Sequence, residues 1–253
     1  MDSKKRIAVY AVIFGPYDGL LPQPTFDAVD YICFTDQDFK SKTWKINKIT
    51  PPIPGDSTRS ARFIKINPHL FLKDYDVSVF IDGNYLIEGD LPSLVSSALK
   101  HSPMAIYDHN QCSDPRDCAY DELEAILALQ KARNKLKDDP QTMIDQLSSY
   151  EREGFPRHAG LIFSAVLVRA HHNDEVKLVM ATWWRQIEDH SKRDQLSFNY
   201  SAWKHEFKPY YIPGDLRNNQ YFYLLSKHRK DYRWKYLKYQ IKKTFGWVNR
   251  KSL

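Results

Sequence analysis

No stretch of 18 or more apolar residues occurs in this 253-residue chain, so no segment is expected to cross a membrane as a helix. The opening Met-Asp-Ser-Lys-Lys-Arg leads into a short apolar run, Ile7 to Phe14, without the small-residue cleavage site of a secretory signal. The three cysteines, Cys33, Cys112 and Cys118, give no even disulfide framework and no metal-ligand spacing. A cytoplasmic, reducing context is expected. Cys33 then reads as a buried thiol in an apolar strand, and a Cys112–Cys118 bridge across a loop is the lesser alternative. There is no internal repeat and no low-complexity segment, which excludes solenoids and disordered linkers. What is present, 42% hydrophobic and 27% charged residues, is ordinary for a globular α/β chain.

The charge is unevenly placed. From Lys227 to Leu253 there are ten Lys or Arg against one Asp, a charge of +9, within a chain that totals +6. The residues before Lys227 are therefore slightly acidic, and the basic tail points to a polyanionic surface as its partner. Within the tail Trp234, Leu237, Ile241 and Phe245 recur at spacings of three, four and four, and basic residues flank them. This is the pattern of a helix lying on acidic lipid, or of a helix packed on the body through that same apolar face.

Strands are expected over Arg6–Phe14, Asp30–Thr35, Trp44–Ile49, Val77–Ile81, Met104–Tyr107, Gly160–Val168 and Pro209–Ile212. Helices are expected from Ser57 or Thr58 to Leu72, and over Leu91–Lys100, Asp121–Leu136, Pro140–Glu153, Asp174–His190, Asp194–Lys204 and Arg233–Phe245. Strands alternating with helices predict an α/β fold, a mainly parallel sheet covered by helices, with ligands bound beyond the strand carboxyl ends.

The segment Val77 to Ile87 is the most informative. An apolar strand runs into Asp82-Gly83-Asn84 and then resumes as Tyr-Leu-Ile. A carboxylate and a carboxamide two residues apart supply oxygen ligands to a hard divalent cation, Mn²⁺ or Mg²⁺, which shares its site with substrate phosphates. A plain turn is the competing reading. His228 is a candidate third ligand. Arg59, Arg62 and Lys65 follow one another along one helix and suit a diphosphate. The polar loop from Asp108 to Glu122 offers His109, Arg116 and Glu122 for sugar hydroxyls or an acidic acceptor. His158, Ala159 and Gly160 bring small residues to a strand start where backbone passes close to a ligand. Asp194 and Gln195 open a helix; Asp194 either caps it or aims a carboxylate into a sugar pocket.

The motifs YxVIFGPYD, ICFTD, SxRxxKxxPHxxLxxYDxSVFIDGN, DHxxxxDPRDCxYDE, RHAGLIFS and RDQLSF occur in that order over about residues 6 to 230. Together they resemble the glycosyltransferase-like family called domain of unknown function 616, found in plant mucilage-associated and bacterial polysaccharide-locus proteins. That family is similar in pattern to glycosyltransferase family 8. The resemblance implies a GT-A fold and sugar transfer from a nucleotide-sugar donor. It places Asp82 and Asn84 at the metal-binding Asp-x-Asp position, with Asn84 departing from the acidic consensus. It implies that Phe14, Tyr17 and Asp36 hold the base and ribose, and that Arg62 lies near the donor. His158, Ala159 and Gly160 would face the donor sugar, and Asp194 with Gln195 would lie at the reaction centre. His228 would match the late metal-binding His of family 8, whose surrounding pattern is missing here.

Taken together these readings predict a GT-A-type domain over residues 1–230 and a basic amphipathic tail over 231–253. The donor site comprises Phe14, Tyr17, Asp36, Arg62, Lys65, Asp82, Gly83, His158, Ala159 and Gly160. Expected partners are a nucleotide sugar, a glycan or lipid-linked glycan acceptor, and an anionic membrane face met by the tail. A metal-dependent hydrolase or nucleotidyltransferase on the same site is one alternative. A nucleic-acid-binding module built on the basic, aromatic tail is another, disfavoured by the acidic body.

Overall fold

The computed structural model describes residues 5–16, 19–134, 136, 138–225 and 232–248, with Tyr232 described by its backbone alone. The strands are β1 (Ile7–Ile13), β2 (Val29–Thr35), β3 (Lys45–Lys48), β4 (Val77–Ile81), β5 (Tyr85–Ile87), β6 (Met104–Asp108), β7 (Ile162–Arg169), β8 (Tyr210–Ile212) and β9 (Phe222–Leu224). The helices are α1 (Ser57–Ile66), α2 (Pro68–Phe71), α3 (Leu91–Ala98), α4 (Ala119–Arg133), α5 (Pro140–Arg152), α6 (Asp174–Asp189), α7 (Phe198–Lys204) and α8 (Tyr232–Thr244).

Seven strands form one sheet in the order β3-β2-β1-β4-β7-β6-β8. β7 is antiparallel to β4 and β6, and the remaining pairs are parallel. The carboxyl ends of β1, β2, β4, β6 and β8 therefore share one edge, and β7 begins at that same edge. β5 and β9 pair antiparallel in a small second sheet.

Successive residues of a strand face opposite sides, and here both sides are covered. Val9, Ala11, Val79, Ile81 and Val168 pack on one side with Leu91, Leu94 and Val95 of α3 and with the small sheet. Ala8, Tyr10, Phe80 and Leu167 pack on the other with Ile64 of α1 and with Val179, Met180 and Trp183 of α6. This double burial is why β1, β4 and β7 read as continuous apolar runs. Side-chain caps fix the helix starts: Asp56 accepts from Arg59 N at 2.8 Å, and Asn173 from Val176 N at 3.1 Å.

Several expectations are corrected. The helix from Ser57 stops at Ile66, because Pro68 lacks the N–H that would continue it and instead starts the short α2. The segment from Asp194 is a 3₁₀ turn, Asp194–Leu196, followed by α7. Strands β5 and β9 were not anticipated. Cys33, Cys112 and Cys118 are all free thiols. Among the described residues no helix is long and apolar enough to cross a membrane.

Gly89 shows how tightly the small sheet is joined. A Cβ there would collide with the Gln220 carbonyl and lie 3.1 Å from Tyr221 Cα. Both neighbours are backbone, so neither turns aside. Gly89→Ala is expected to destabilise the fold by about 1–3 kcal/mol, read as a lower denaturation midpoint with an unchanged slope. An unchanged midpoint would contradict the close packing.

Candidate functional site

The shared sheet edge gathers the polar residues singled out in the sequence. β4 ends at Ile81, and the Asp82 N–H stays in the sheet by donating to Ala165 O at 2.9 Å. The Asp82 carbonyl accepts from Tyr85 N at 3.0 Å, closing a turn that holds Asp82, Gly83 and Asn84 together. Gly83 is closely packed: a Cβ would meet Ile13 Cδ1 at 3.1 Å and Gly19 O at 3.3 Å. Asn84 is buried, and its carbonyl accepts from Leu225 N at 3.1 Å, so the chain leaving β9 closes over the turn.

At the ends of β1 and β2, Gly15 N donates to both carboxylate oxygens of Asp36, at 3.0 and 3.2 Å, and Gln37 Nε2 donates to Asp36 at 2.7 Å. Gly15 sits at φ +64°, which favours glycine. Phe14 is buried beside it. Tyr17 and His228 lie outside the described residues.

The electrostatic centre is Asp194. Its Oδ2 accepts from Lys65 Nζ at 2.7 Å and Ser164 Oγ at 3.0 Å, and Arg62 Nε lies 3.3 Å away. Asp194 and Lys65 are enclosed, at 2% and 1% exposure, whereas Arg62 is partly exposed. Burial alone would raise the Asp194 pKa. The charges of Arg62 and Lys65 and the Lys65 hydrogen bond outweigh it and hold the carboxyl well below the usual carboxylate range. Burial lowers the Lys65 pKa, against the opposing pull of Asp194 and of Asp82. Asp82, Lys65 and Asp194 are thus one interacting set of charges. The Lys65 carbonyl is fixed in turn by Tyr10 Oη at 2.6 Å and Arg169 Nη2 at 2.8 Å. Arg59, on the same helix, turns to Asp56 and to the carbonyls of Ile187 and His190.

At the start of β7, Gln195 Nε2 donates to Ile162 O at 3.1 Å, and Asn199 Nδ2 donates to Ala159 O at 3.2 Å. Gly160 lies at φ +86°, and a Cβ there would meet Asn199 Nδ2 at 2.9 Å and Tyr211 Oη at 3.0 Å. His158 is exposed, and its Nδ1 bonds Asp117 at 2.8 Å. The ligand atoms of Cys118, Asp121 and His158 lie within 4.8 Å of one another.

His109, Arg116 and Glu122 come together. Arg116 Nε donates to Glu122 Oε2 at 2.7 Å, and Arg116 Nη2 lies 3.2 Å from His109 Nε2. Burial, reinforced by Arg116, lowers the His109 pKa to about 4, so the ring is neutral near pH 7 and Nε2 accepts from Arg116. Two residues overlooked in the sequence join this network. Arg193 Nη2 lies 3.9 Å from Glu122, and Arg217 pairs with Asp114 and rests 5.3 Å from the Phe163 ring centre. Arg193 was visible in RDQLSF beside Asp194; nothing local marked Arg217. Among the described residues, His109 Nδ1, Arg193 Nε and the Tyr85 hydroxyl are buried without a hydrogen-bond partner. Such atoms are uncommon in folded proteins and call for an explanation, a bound ligand among them.

A mainly parallel sheet with one reversed strand, and an Asp-Gly-Asn turn at its carboxyl edge beside a basic cluster, is the architecture of a GT-A-type glycosyltransferase-like protein. The chain belongs to the TOD1/MUCI70 glycosyltransferase-like domain family, whose model matches residues 17–213. The match agrees with the resemblance carried by the ordered motifs. No curated protein matches the chain.

Proposed function

We propose that the protein transfers a sugar from a nucleoside-diphosphate sugar, with uridine diphosphate as leaving group, to a glycan or lipid-linked glycan in surface-polysaccharide synthesis. It would work in the cytoplasm, at the inner membrane face when the acceptor is lipid-linked. The observation that carries this reading is the convergence of the Asp82-Gly83-Asn84 turn with the Arg62, Lys65 and Asp194 charges at one sheet edge, in a glycosyltransferase-like family.

The donor set fits a divalent cation. A carboxylate and a carboxamide oxygen on one turn suit Mg²⁺ or Mn²⁺ and leave room for diphosphate oxygens. Asp82 and Asn84 would hold the ion, with His228 as a further ligand. Bound there, the ion supplies Lewis acidity toward the departing diphosphate.

The remaining work falls to the side chains. Partly exposed Arg62 adds fixed positive potential for the diphosphate. Enclosed Lys65 acts through Asp194, whose carboxylate it holds in place. Asp194 is a poor proton acceptor because its pKa is depressed. Its role is electrostatic: an ionised carboxylate favours positive charge growing at the anomeric carbon. Gln195 fixes the Ile162 carbonyl, and with Ala159 and Gly160 it shapes the wall facing the donor sugar. Phe14 and Asp36 take the base and ribose, with Gly15 ready to yield its bond to Asp36. His109, Arg116 and Glu122, joined by Arg193 and Arg217, position the acceptor hydroxyl. Retention of configuration follows if the likeness to family 8 extends to stereochemistry.

The test is a thermal-shift screen of nucleotide sugars with and without Mn²⁺. A ligand at a hundred times its Kd stabilises the native state by about 2.7 kcal/mol, a rise of about 5–10 °C for a chain of this size. The expected result is a Mn²⁺-dependent shift with one nucleotide sugar. No shift with any nucleotide sugar or nucleoside diphosphate overturns the donor reading. Turnover to water alone favours the hydrolase.

A further inference from the structure

The tail helix α8 attaches to the body by the face opposite to its apolar stripe. Tyr239 is buried among Leu21, Leu86 and Tyr223, its ring centre 4.8 Å from that of Tyr223, and Tyr236 packs on the same cluster. Lys243 Nζ pairs with the enclosed Glu88 at 2.9 Å. At the helical repeat, Tyr236, Tyr239 and Lys243 share one side. Trp234, Leu237, Ile241 and Phe245 share the other, and Trp247 stacks on Phe245 just past the helix end. These five side chains range from 46% exposed at Ile241 to 69% at Trp234. The reading in which the helix packs through this stripe is therefore corrected: the body takes the tyrosines, and the stripe faces outward.

We propose that this outward face seats the protein on an anionic lipid surface. A contiguous apolar patch of this kind on a folded protein marks an interaction site. Its border identifies the partner. Lys235, Lys238 and Lys242 run along one flank, Arg233 lies on the other, and no acidic residue occurs from 232 to 248. A helix with an apolar face and a lysine border lies in the headgroup region of acidic bilayers, its rings and aliphatic groups in the acyl boundary and its ammonium groups at the phosphates. A second copy fits poorly, because a two-fold contact through this face sets the same patch, lysine border included, against itself. Nucleic acid would satisfy the lysines and leave the apolar stripe in water.

Leu86, on which Tyr239 rests, lies two residues after Asn84, and Leu225 N bonds the Asn84 carbonyl. The docking helix thus leans on the elements that close the Asp82 turn. The bilayer would lie beside the transfer site, within reach of a lipid-linked acceptor. This consequence rests on the proposed function; the docking itself does not.

The experiment is sedimentation of the full chain at low salt with phosphatidylcholine vesicles, with and without phosphatidylglycerol. Two variants are compared, Leu237→Glu/Ile241→Glu and Lys238→Glu/Lys242→Glu. All four positions are exposed and lie off the packed side, so melting temperatures are expected to stay at the wild-type value. The wild type should partition onto the anionic vesicles only. Each lysine near such a surface is worth about fivefold in partition, so the Lys238→Glu/Lys242→Glu variant should lose at least roughly 25-fold, and Leu237→Glu/Ile241→Glu should lose most binding. Equal partition of wild type and variants, or no binding by any, overturns the proposal. So does a dimer abolished by Leu237→Glu/Ile241→Glu, or salt-sensitive binding to single-stranded nucleic acid without vesicle binding. Because the vesicle assay uses no donor and no cation, its failure is distinct from failure of the transferase reading.

Discussion

Asp82→Ala is expected to lose sugar transfer by about 10³-fold or more while still folding and melting cooperatively. A Lewis-acidic ion supplies several kcal/mol of transition-state charge stabilisation, and about 4 kcal/mol corresponds to that factor. The turn should survive, because its two backbone bonds, the Asp82 N–H to Ala165 O and the carbonyl to Tyr85 N, are not altered by truncation, while the loss of the carboxylate that Lys65 feels lowers stability modestly. Cation binding, measured by calorimetry with Mn²⁺ and nucleoside diphosphate, should fall with turnover. Asn84→Asp is expected to keep or strengthen that binding, since a second carboxylate adds charge and a ligand oxygen. Near wild-type turnover in Asp82→Ala would sink the cation site. Turnover lost together with the cooperative melting transition would return Asp82 to a structural turn.

Much of this arrangement was legible in the chain because it is local. Doubly buried strands announce themselves as unbroken apolar runs, and the polar residues that end them fall at one edge by topology alone. The direction of β7 was not legible, because Ile162–Arg169 looks the same run forward or backward between two buried neighbours. β5 and β9 were hidden by brevity: three residues form a strand only when a partner supplies the ladder. The break after Ile66 was written in Asn67-Pro68, which the continuing apolar pattern masked. The periodicity of α8 was plain from Trp234 to Phe245, but Tyr236 and Tyr239 also lie three apart, and which side packs depends on Leu21, Leu86 and Tyr223 elsewhere in the chain. Asp194 shows the limit most clearly. Locally it reads as a helix-start residue, yet its carboxylate answers Lys65 and Arg62, more than a hundred residues earlier.

That pairing sets what Asp194→Asn should do. Removing one partner of an enclosed ion pair leaves the other charge uncompensated, at a cost of about 3–5 kcal/mol. Asp194→Asn is thus expected to lower stability by that order and to lower turnover as well. An effect on turnover alone cannot then be read directly from this variant. The pair Asp194→Asn/Lys65→Met separates the two roles. Removing both charges should restore most of the stability, because Met fills the space of the lysine chain and the asparagine keeps Ser164 satisfied. Turnover should remain low if Asp194 acts at the reaction centre as proposed, since its carboxylate is still missing. The pH dependence gives a second reading. The Asp194 pKa is depressed in the fold, so its stabilisation is fully present above the unfolded carboxylate value of about 3.9 and is lost as pH falls below it. The wild type should therefore lose stability below about pH 4 more steeply than the double variant. Recovery of turnover along with stability in the double variant would make Asp194 a packing device. Stability and turnover both unchanged in Asp194→Asn would remove the ion pair from the account altogether.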